Sequence, residues 1–250
     1  MSTYLIENCA GSAESARRAE LGGAYRVELC AGLPEGGTTP SYGEILTARR
    51  AISIKLNVII RPRSGDFLYT PIEVEAMLAD IRMARELGAD GIVVGCLTAD
   101  GAVDKPLLRR FVEAAEGLPV TFHRAIDVCQ DRAQALEDII EAGCARVLTS
   151  GGAASAPEGA DAIAALVKQA ADRIIIMPGA GVTPENVADL ARKTGAREFH
   201  FSGRTAEPSP MRYRHEGVSM GGTVTIDEYA YLFTDPKKIR QAVEALQALE

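Results

Sequence analysis

The chain has 250 residues, 47% hydrophobic and 24% charged, a globular balance that excludes disordered and fibrous classes. A formal net charge of -7 argues against nucleic-acid backbones and anionic membranes as partners. The opening MSTYLIENCAG has no basic segment before a long apolar run, and no stretch approaches ~18 uninterrupted apolar residues, so neither a signal peptide nor a membrane span is expected.

The predicted elements alternate short β-rich runs with longer Ala/Leu/Glu/Arg-rich helical patterns. Side chains alternate faces along a strand, and the outer face of a barrel must be apolar to pack on helices. In the first strand, 4–8, Ile6 therefore faces out while Leu5, Glu7 and the following Cys9 face in. In the second, 26–30, Val27 and Leu29 face out; Arg26, Glu28 and Cys30 face in. The glycine-rich PEGGTTP after it has the makings of a lid. The third, 57–61, turns Val58 and Ile60 out and Asn57, Ile59 and Arg61 in. Its loop, IRPRSGDFLYT, alternates Arg61 and Arg63 onto one side around Pro62, with a turn at Ser64-Gly65-Asp66. Two guanidiniums suit a forked grip on an anion; a loop tied by Arg–Asp pairs fits equally well.

A helix over 72–87 precedes the fourth strand, 91–95. The fifth, 120–124, opens VTFHRAID: Val120 and Phe122 face out, Thr121 and His123 face in, Arg124 turns toward the rim, and Asp127 can anchor either neighbour. After a helix over 133–142, the sixth strand, 146–149, ends in Thr149-Ser150-Gly151-Gly152. A helix over 160–171 leads to the seventh, 174–177, whose end PGAG carries Gly179 and Gly181. Thr183 and Pro184 read as N-cap and first residue of a helix over 184–193. The eighth strand, 198–202, turns Phe199 and Phe201 out and Glu198, His200 and Ser202 in, with Gly203 next. A last helix covers 236–249.

Eight βα units in this length indicate a single-domain, eight-stranded parallel (β/α)8 barrel over 1–250, with an open doubly wound sheet as the alternative. LGGAYRVELC, LGADGIVVGC, AGCARVLTSG and TGAREFHFSG repeat a helix end, a glycine and a strand start before every second strand, as expected of barrel quarters.

The inward faces gather Glu7, Glu28, Arg61, His123 and His200 near strand C-terminal ends, where barrel active sites are built. The competing reading is a buried ion network filling the barrel, with Arg61 paired to Glu28. Buried charge is a costly core filling, which favours a site. The first two strands both end in Glu-x-Cys, and facing thiols of Cys9 and Cys30 suit a soft metal such as Cu(I), although buried cysteine is also an ordinary small core residue. Zinc fits less well, since four convergent ligands are not evident. Five scattered cysteines make no disulfide framework and fit a reduced, cytoplasmic chain; Cys96, Cys129 and Cys144 read as structural, and His215 as a surface residue. The glycine-rich ends of the last three strands suit a phosphate cradle of backbone N–H groups. None is a dinucleotide fingerprint, so no nucleotide cofactor is expected.

VELCAGLPEGGTTPS, IRPRSGDFLY, GADGIVVG, VTFHRAID, RVLTSGG, MPGAGV and SPMRYR, in this order along nearly the whole chain, resemble the CutC copper-homeostasis family. The resemblance implies a (β/α)8 barrel, a cytoplasmic homo-oligomer (dimer or tetramer), and Cu(I) as the bound ion, at positions that fall here on Cys9 and Cys30.

Three functions remain open from the sequence. One is Cu(I) binding by the two thiols. A second is a lyase or isomerase acting on a small anionic or phosphorylated metabolite. There Glu7, Glu28 or His123 would move protons, and Arg61, Arg63 and Arg124 would hold the anion. Asp66, Asp127, His200, Ser202, Gly203 and the glycine-rich ends would complete the substrate site. A third is a noncatalytic scaffold, assembled across subunits by the loop 209–222.

Overall fold

The computed structural model describes residues 3–215, 217–220 and 226–250. Its core is one sheet of eight parallel strands: β1 (Leu5–Ala10), β2 (Arg26–Leu29), β3 (Lys55–Ile59), β4 (Gly91–Val94), β5 (Val120–Phe122), β6 (Arg146–Thr149), β7 (Ile175–Pro178) and β8 (Glu198–Phe201). They run in the order β7-β6-β5-β4-β3-β2-β1-β8, and β7 lies beside β8, nearly closing a TIM barrel. The helices α1 (Ala13–Gly22), α2 (Tyr42–Ala51), α3 (Pro71–Glu86), α4 (Lys105–Ala114), α5 (Arg132–Glu141), α6 (Ala160–Ala170), α7 (Val187–Thr194) and α8 (Pro236–Gln247) surround it. Among the described residues, no helix is long and apolar enough to cross a membrane.

Helix starts follow local chemistry. Thr70 and Glu73 form a capping box ahead of α3 with Pro71 in the first turn. Asp104, Asp131 and Asp235 cap α4, α5 and α8. The predicted start at Thr183-Pro184 is corrected: α7 begins at Val187. The side chain of Asn186 accepts from the Thr183 N–H, which holds Thr183–Asn186 as a separate turn.

Strand parity places the two sides of the barrel as read from the sequence. Ile6, Val27, Leu29, Val58, Ile60, Val120, Phe122, Phe199 and Phe201 belong to the large core between strands and helices. Cys30, Ile59 and Val93 form a small separate cluster with Cys9 and Leu33 inside the barrel. Most predicted strand ends shift by one or two residues; β3 begins earlier, at Lys55, and stops before Pro62.

One element was not expected. A two-stranded antiparallel hairpin, β9 (Arg204–Pro208) and β10 (Ala230–Thr234), stands between β8 and α8. Arg18 of α1 pairs with Glu207 at 2.5 Å, and Thr234 Oγ1 donates to Asn8 Oδ1 at 3.0 Å. These contacts tie the hairpin to the barrel top and place Arg204 at its mouth.

Candidate functional site

The inside of the barrel is layered. Its lower layer is an ion network of four charged side chains. Glu198 accepts from Arg26 and from Arg146, each at 2.6 Å, and Arg26 also pairs with Glu7. Asn57 donates to Glu7 at 3.3 Å and Arg146 to Thr121 at 3.3 Å. A buried network therefore does fill part of the barrel, but the expected Arg61–Glu28 pair is absent from it. β3 ends at Ile59, and Arg61, just before Pro62, folds over the mouth. There its terminal nitrogens donate to the carbonyls of Glu35, Gly37 and Gly65 at 3.2, 2.9 and 2.9 Å. Arg61 is thus the clasp of the PEGGTTP segment, whose Thr39 also bonds Arg61 backbone atoms.

Above the network lies a cavity of about 480 Å³ at the C-terminal ends of the strands. Its walls include Cys9, Glu28, Cys30, Arg61, His123, Asp127 and His200. Parallel register sets Cys9 of β1 opposite Glu28 of β2, and the two Sγ atoms stand 4.0 Å apart. One ligand atom from each of Cys9, Glu28 and Cys30 lies within 4.8 Å of the others. His200 Nδ1 is 2.8 Å from Glu7 Oε1, and its Nε2 is 3.6 Å from Glu28 Oε2.

The electrostatics divide these groups. The hydrogen bond between the thiols lowers Cys9 well below an ordinary cysteine and raises Cys30. Burial opposes charge on His200, yet its bonds to Cys9 and Glu7 prevail and hold it protonated above the usual histidine range. Burial would raise Glu7, but Arg26, with His200, outweighs it and keeps this carboxyl ionised. Burial pushes Glu28 up to about 8, so at neutral pH this carboxyl is mostly protonated. Burial, then the charge of Arg61, drives His123 down to about 3.

His123 is the other marked group. Its Nδ1 accepts from the Ala125 N–H at 3.2 Å, which puts the proton of the neutral ring on Nε2. That Nε2 and the Nε of Arg61 are buried without a hydrogen-bond partner among the described residues. Phe67 packs on both, with its ring centroid 4.9 Å from that of His123 and 5.2 Å from the Arg61 guanidinium carbon. A Cβ at position 95 would overlap the His123 ring, which accounts for Gly95.

At the Thr149–Gly152 end of the expected phosphate cradle, the donors are taken from within. The Asp127 carboxylate accepts from Thr149 Oγ1 at 2.5 Å, from the Ser150 N–H at 2.9 Å and from the Gly152 N–H at 3.0 Å, while the Gly151 N–H donates to Thr149 Oγ1. Asp127 also binds Arg124 at 2.8 Å, which extends to Ser150. The N–H of Gly179 and the carbonyl of Gly203 serve backbone bonds, whereas Gly181 and Ser202 reach the cavity wall. Arg63 is spent on Asp66 at 3.2 Å and Glu73 at 2.5 Å, so the tied-loop reading holds for this arginine and Asp66. Burial raises Cys96, Cys129 and Cys144, as expected of structural thiols.

Among the wall residues that the sequence reading missed, two matter most for charge and packing, Arg204 and Phe67. Arg204 follows Gly203 on β9, and its charge acts on Cys9; its position directly after the glycine-rich end of the eighth strand was the available signal. Phe67 was visible only as an aromatic in a polar loop.

A TIM barrel whose mouth joins a close thiol pair to a cationic wall is the class these features define. The chain belongs to the CutC family, whose model matches residues 4–205. It is 55% identical over 249 residues to the family protein CutC of Bacteroides thetaiotaomicron, covering 99% of this chain and 100% of that one. It is 48% identical over 237 residues to the copper homeostasis protein cutC homolog of Homo sapiens, covering 95% and 87%. A CutC crystal structure from Streptococcus agalactiae superposes with a TM-score of 0.77 at 37% identity, covering 80% of this chain and 98% of that one. An aldolase at 17% identity and TM-score 0.61 shares the fold, with 80% and 90% covered.

Proposed function

We propose that this chain is a copper-homeostasis protein that binds Cu(I) as cargo between Cys9 and Cys30. The 4.0 Å separation of the two sulfurs carries the reading. Metal–thiolate bonds of roughly 2.3 Å allow two sulfurs on one ion to stand at most about 4.6 Å apart, so the pair fits a shared ion without backbone movement. The donor set favours a soft ion of low coordination number. It has two thiols, and its carboxyl, Glu28, is held protonated by burial. Protonated His200 stabilises the Cys9 thiolate. The cytoplasmic, reducing setting inferred from cysteine usage would keep both thiols free.

An anaerobic competition titration against a chromogenic Cu(I) chelator tests this. One ion per chain is expected. Changes to groups behind metal ligands alone commonly cost 10–100-fold in affinity, so Cys9→Ser with Cys30→Ser is expected to cost more than about a hundredfold. Unchanged affinity in the double variant removes the thiol site.

The oligomer implied by the family resemblance has a candidate contact surface. The loop 209–222 lies partly outside the described residues, at 216, 221 and 222. Its described part exposes Met211, Tyr213, Val218 and Met220, and Leu232 of β10 is exposed as well. Exposed apolar clusters of this kind mark association surfaces. Light scattering is expected to give a multiple of 26.6 kDa, shifting toward one chain when Met211 and Tyr213 are both changed to Asp. A wild-type monomer at micromolar concentration rules the surface out.

A further inference from the structure

A Cu(I) site of two thiols leaves the opposite chemistry of the same cavity unexplained. Arg61 is 6% exposed and has no carboxylate partner among the described residues. Three carbonyls take its terminal nitrogens, and its Nε bonds nothing. His123 is 5% exposed, and its Nε2–H likewise has no acceptor. A buried donor left unpaired is costly. The two donors belong to residues that both line one cavity and both pack on Phe67, and they call for an acceptor that the described side chains do not supply. Arg204 adds positive charge to the same wall, whereas Arg124 is paired with Asp127.

We propose that the cavity takes a small carboxylate anion, with His123 Nε2–H and Arg61 Nε–H donating to its oxygens and Phe67 covering its plane. The unpartnered donors number two, and Phe67, Ile59, Leu33 and Leu148 supply apolar lining in the same cavity. A carboxylate presents two acceptor oxygens and a flat apolar face. A phosphate presents more oxygens than these two donors can serve, and the Ser150 and Gly152 backbone donors that would suit it are taken by Asp127. The site is separate from the thiol pair and stands whether or not copper binds.

The test uses the full-length protein, stripped of metal by a chelator and labelled with 15N-histidine. His123, His200 and His215 are its three histidines, so each ring can be assigned by single substitution. Acetate is titrated, then inorganic phosphate at matched ionic strength. Acetate is expected to move the His123 Nε2 resonance saturably in the millimolar range and to leave His215 unmoved. His123→Phe, which keeps the ring against Phe67, is expected to weaken acetate binding at least tenfold when followed by calorimetry. Arg61→Lys gives the same direction, and its melting curve identifies any loss of the clasped loop. Cys9→Ser with Cys30→Ser is expected to bind acetate within twofold of wild type, which separates this site from the copper reading. No saturable response to acetate, unchanged binding in His123→Phe, or phosphate binding tighter than acetate overturns the assignment.

Discussion

Truncation of Glu198 to alanine is expected to cost about 3–5 kcal/mol of stability, the range for breaking a buried ion pair. For a chain of this size that corresponds to a fall of roughly 6–20 °C in melting temperature. The reason lies in the charge balance of the lower barrel layer. Two carboxylates, Glu7 and Glu198, face two guanidiniums, Arg26 and Arg146. Glu198 is the only one of the four that touches both arginines. Without it, Arg146 keeps only a 3.3 Å bond to Thr121, and Arg26 and Arg146 share the single charge of Glu7. Combining Glu198→Leu with Arg146→Leu is expected to recover part of the loss, because it removes the stranded cation along with its partner. Chemical denaturation of the three variants measures this. A double variant as unstable as the sum of its singles would mean that the pair is not coupled. Glu7 links this layer to His200, so the network also supports the cavity floor.

The sequence made the barrel legible because two signals agreed: eight βα units and a glycine-marked repeat. Strand parity then sorted Glu7, Arg26, Glu28, Cys30, Asn57, Ile59, Thr121 and Glu198 to the inside, as the buried ion network and the inner cluster confirm. Parity says which face a side chain takes, but not how deep it sits or which neighbour it meets. Arg26 and Arg61 are both inward residues, yet only Arg26 is low enough to reach Glu7. Arg61 sits at the strand end beside Pro62, where free loop carbonyls compete for it. The glycine-rich ends looked like an empty anion cradle because nothing local in Thr149–Gly152 reveals that Asp127, more than twenty residues earlier, supplies the anion. The hairpin was missed for a similar reason. Arg204–Pro208 and Ala230–Thr234 are short and have mixed exposure, so neither shows a clean alternation.

Acid is expected to destabilise the fold through His123, with the loss beginning near pH 6.5 and continuing toward pH 3. Burial, reinforced by the Arg61 charge and opposed by Asp127, lowers this ring from 6.5 to about 3 in the folded chain. Above pH 6.5 the ring is neutral in both states and contributes no pH dependence. Between the two values the unfolded chain takes up a proton that the folded chain refuses, so stability falls as the pH falls, by at most about 1.4 kcal/mol per unit. At pH 4.5 the accumulated loss is about 2–3 kcal/mol. Glu28 acts in the opposite sense, because its carboxyl is raised to about 8 and its penalty shrinks on acidification. The wild-type curve therefore mixes these two groups with others such as His200, raised above its ordinary value, and the informative quantity is the difference between His123→Phe and wild type. That difference is expected to be flat above pH 7 and to turn steadily in favour of the variant below pH 6, since phenylalanine fills the place beside Phe67 without a basic nitrogen. Urea unfolding at half-unit intervals from pH 8 to pH 4.5 reads it directly. A difference independent of pH would show that the ring protonates as readily in the fold as in water. The buried Nε2–H donor on which carboxylate binding depends would then not be the neutral ring's single proton.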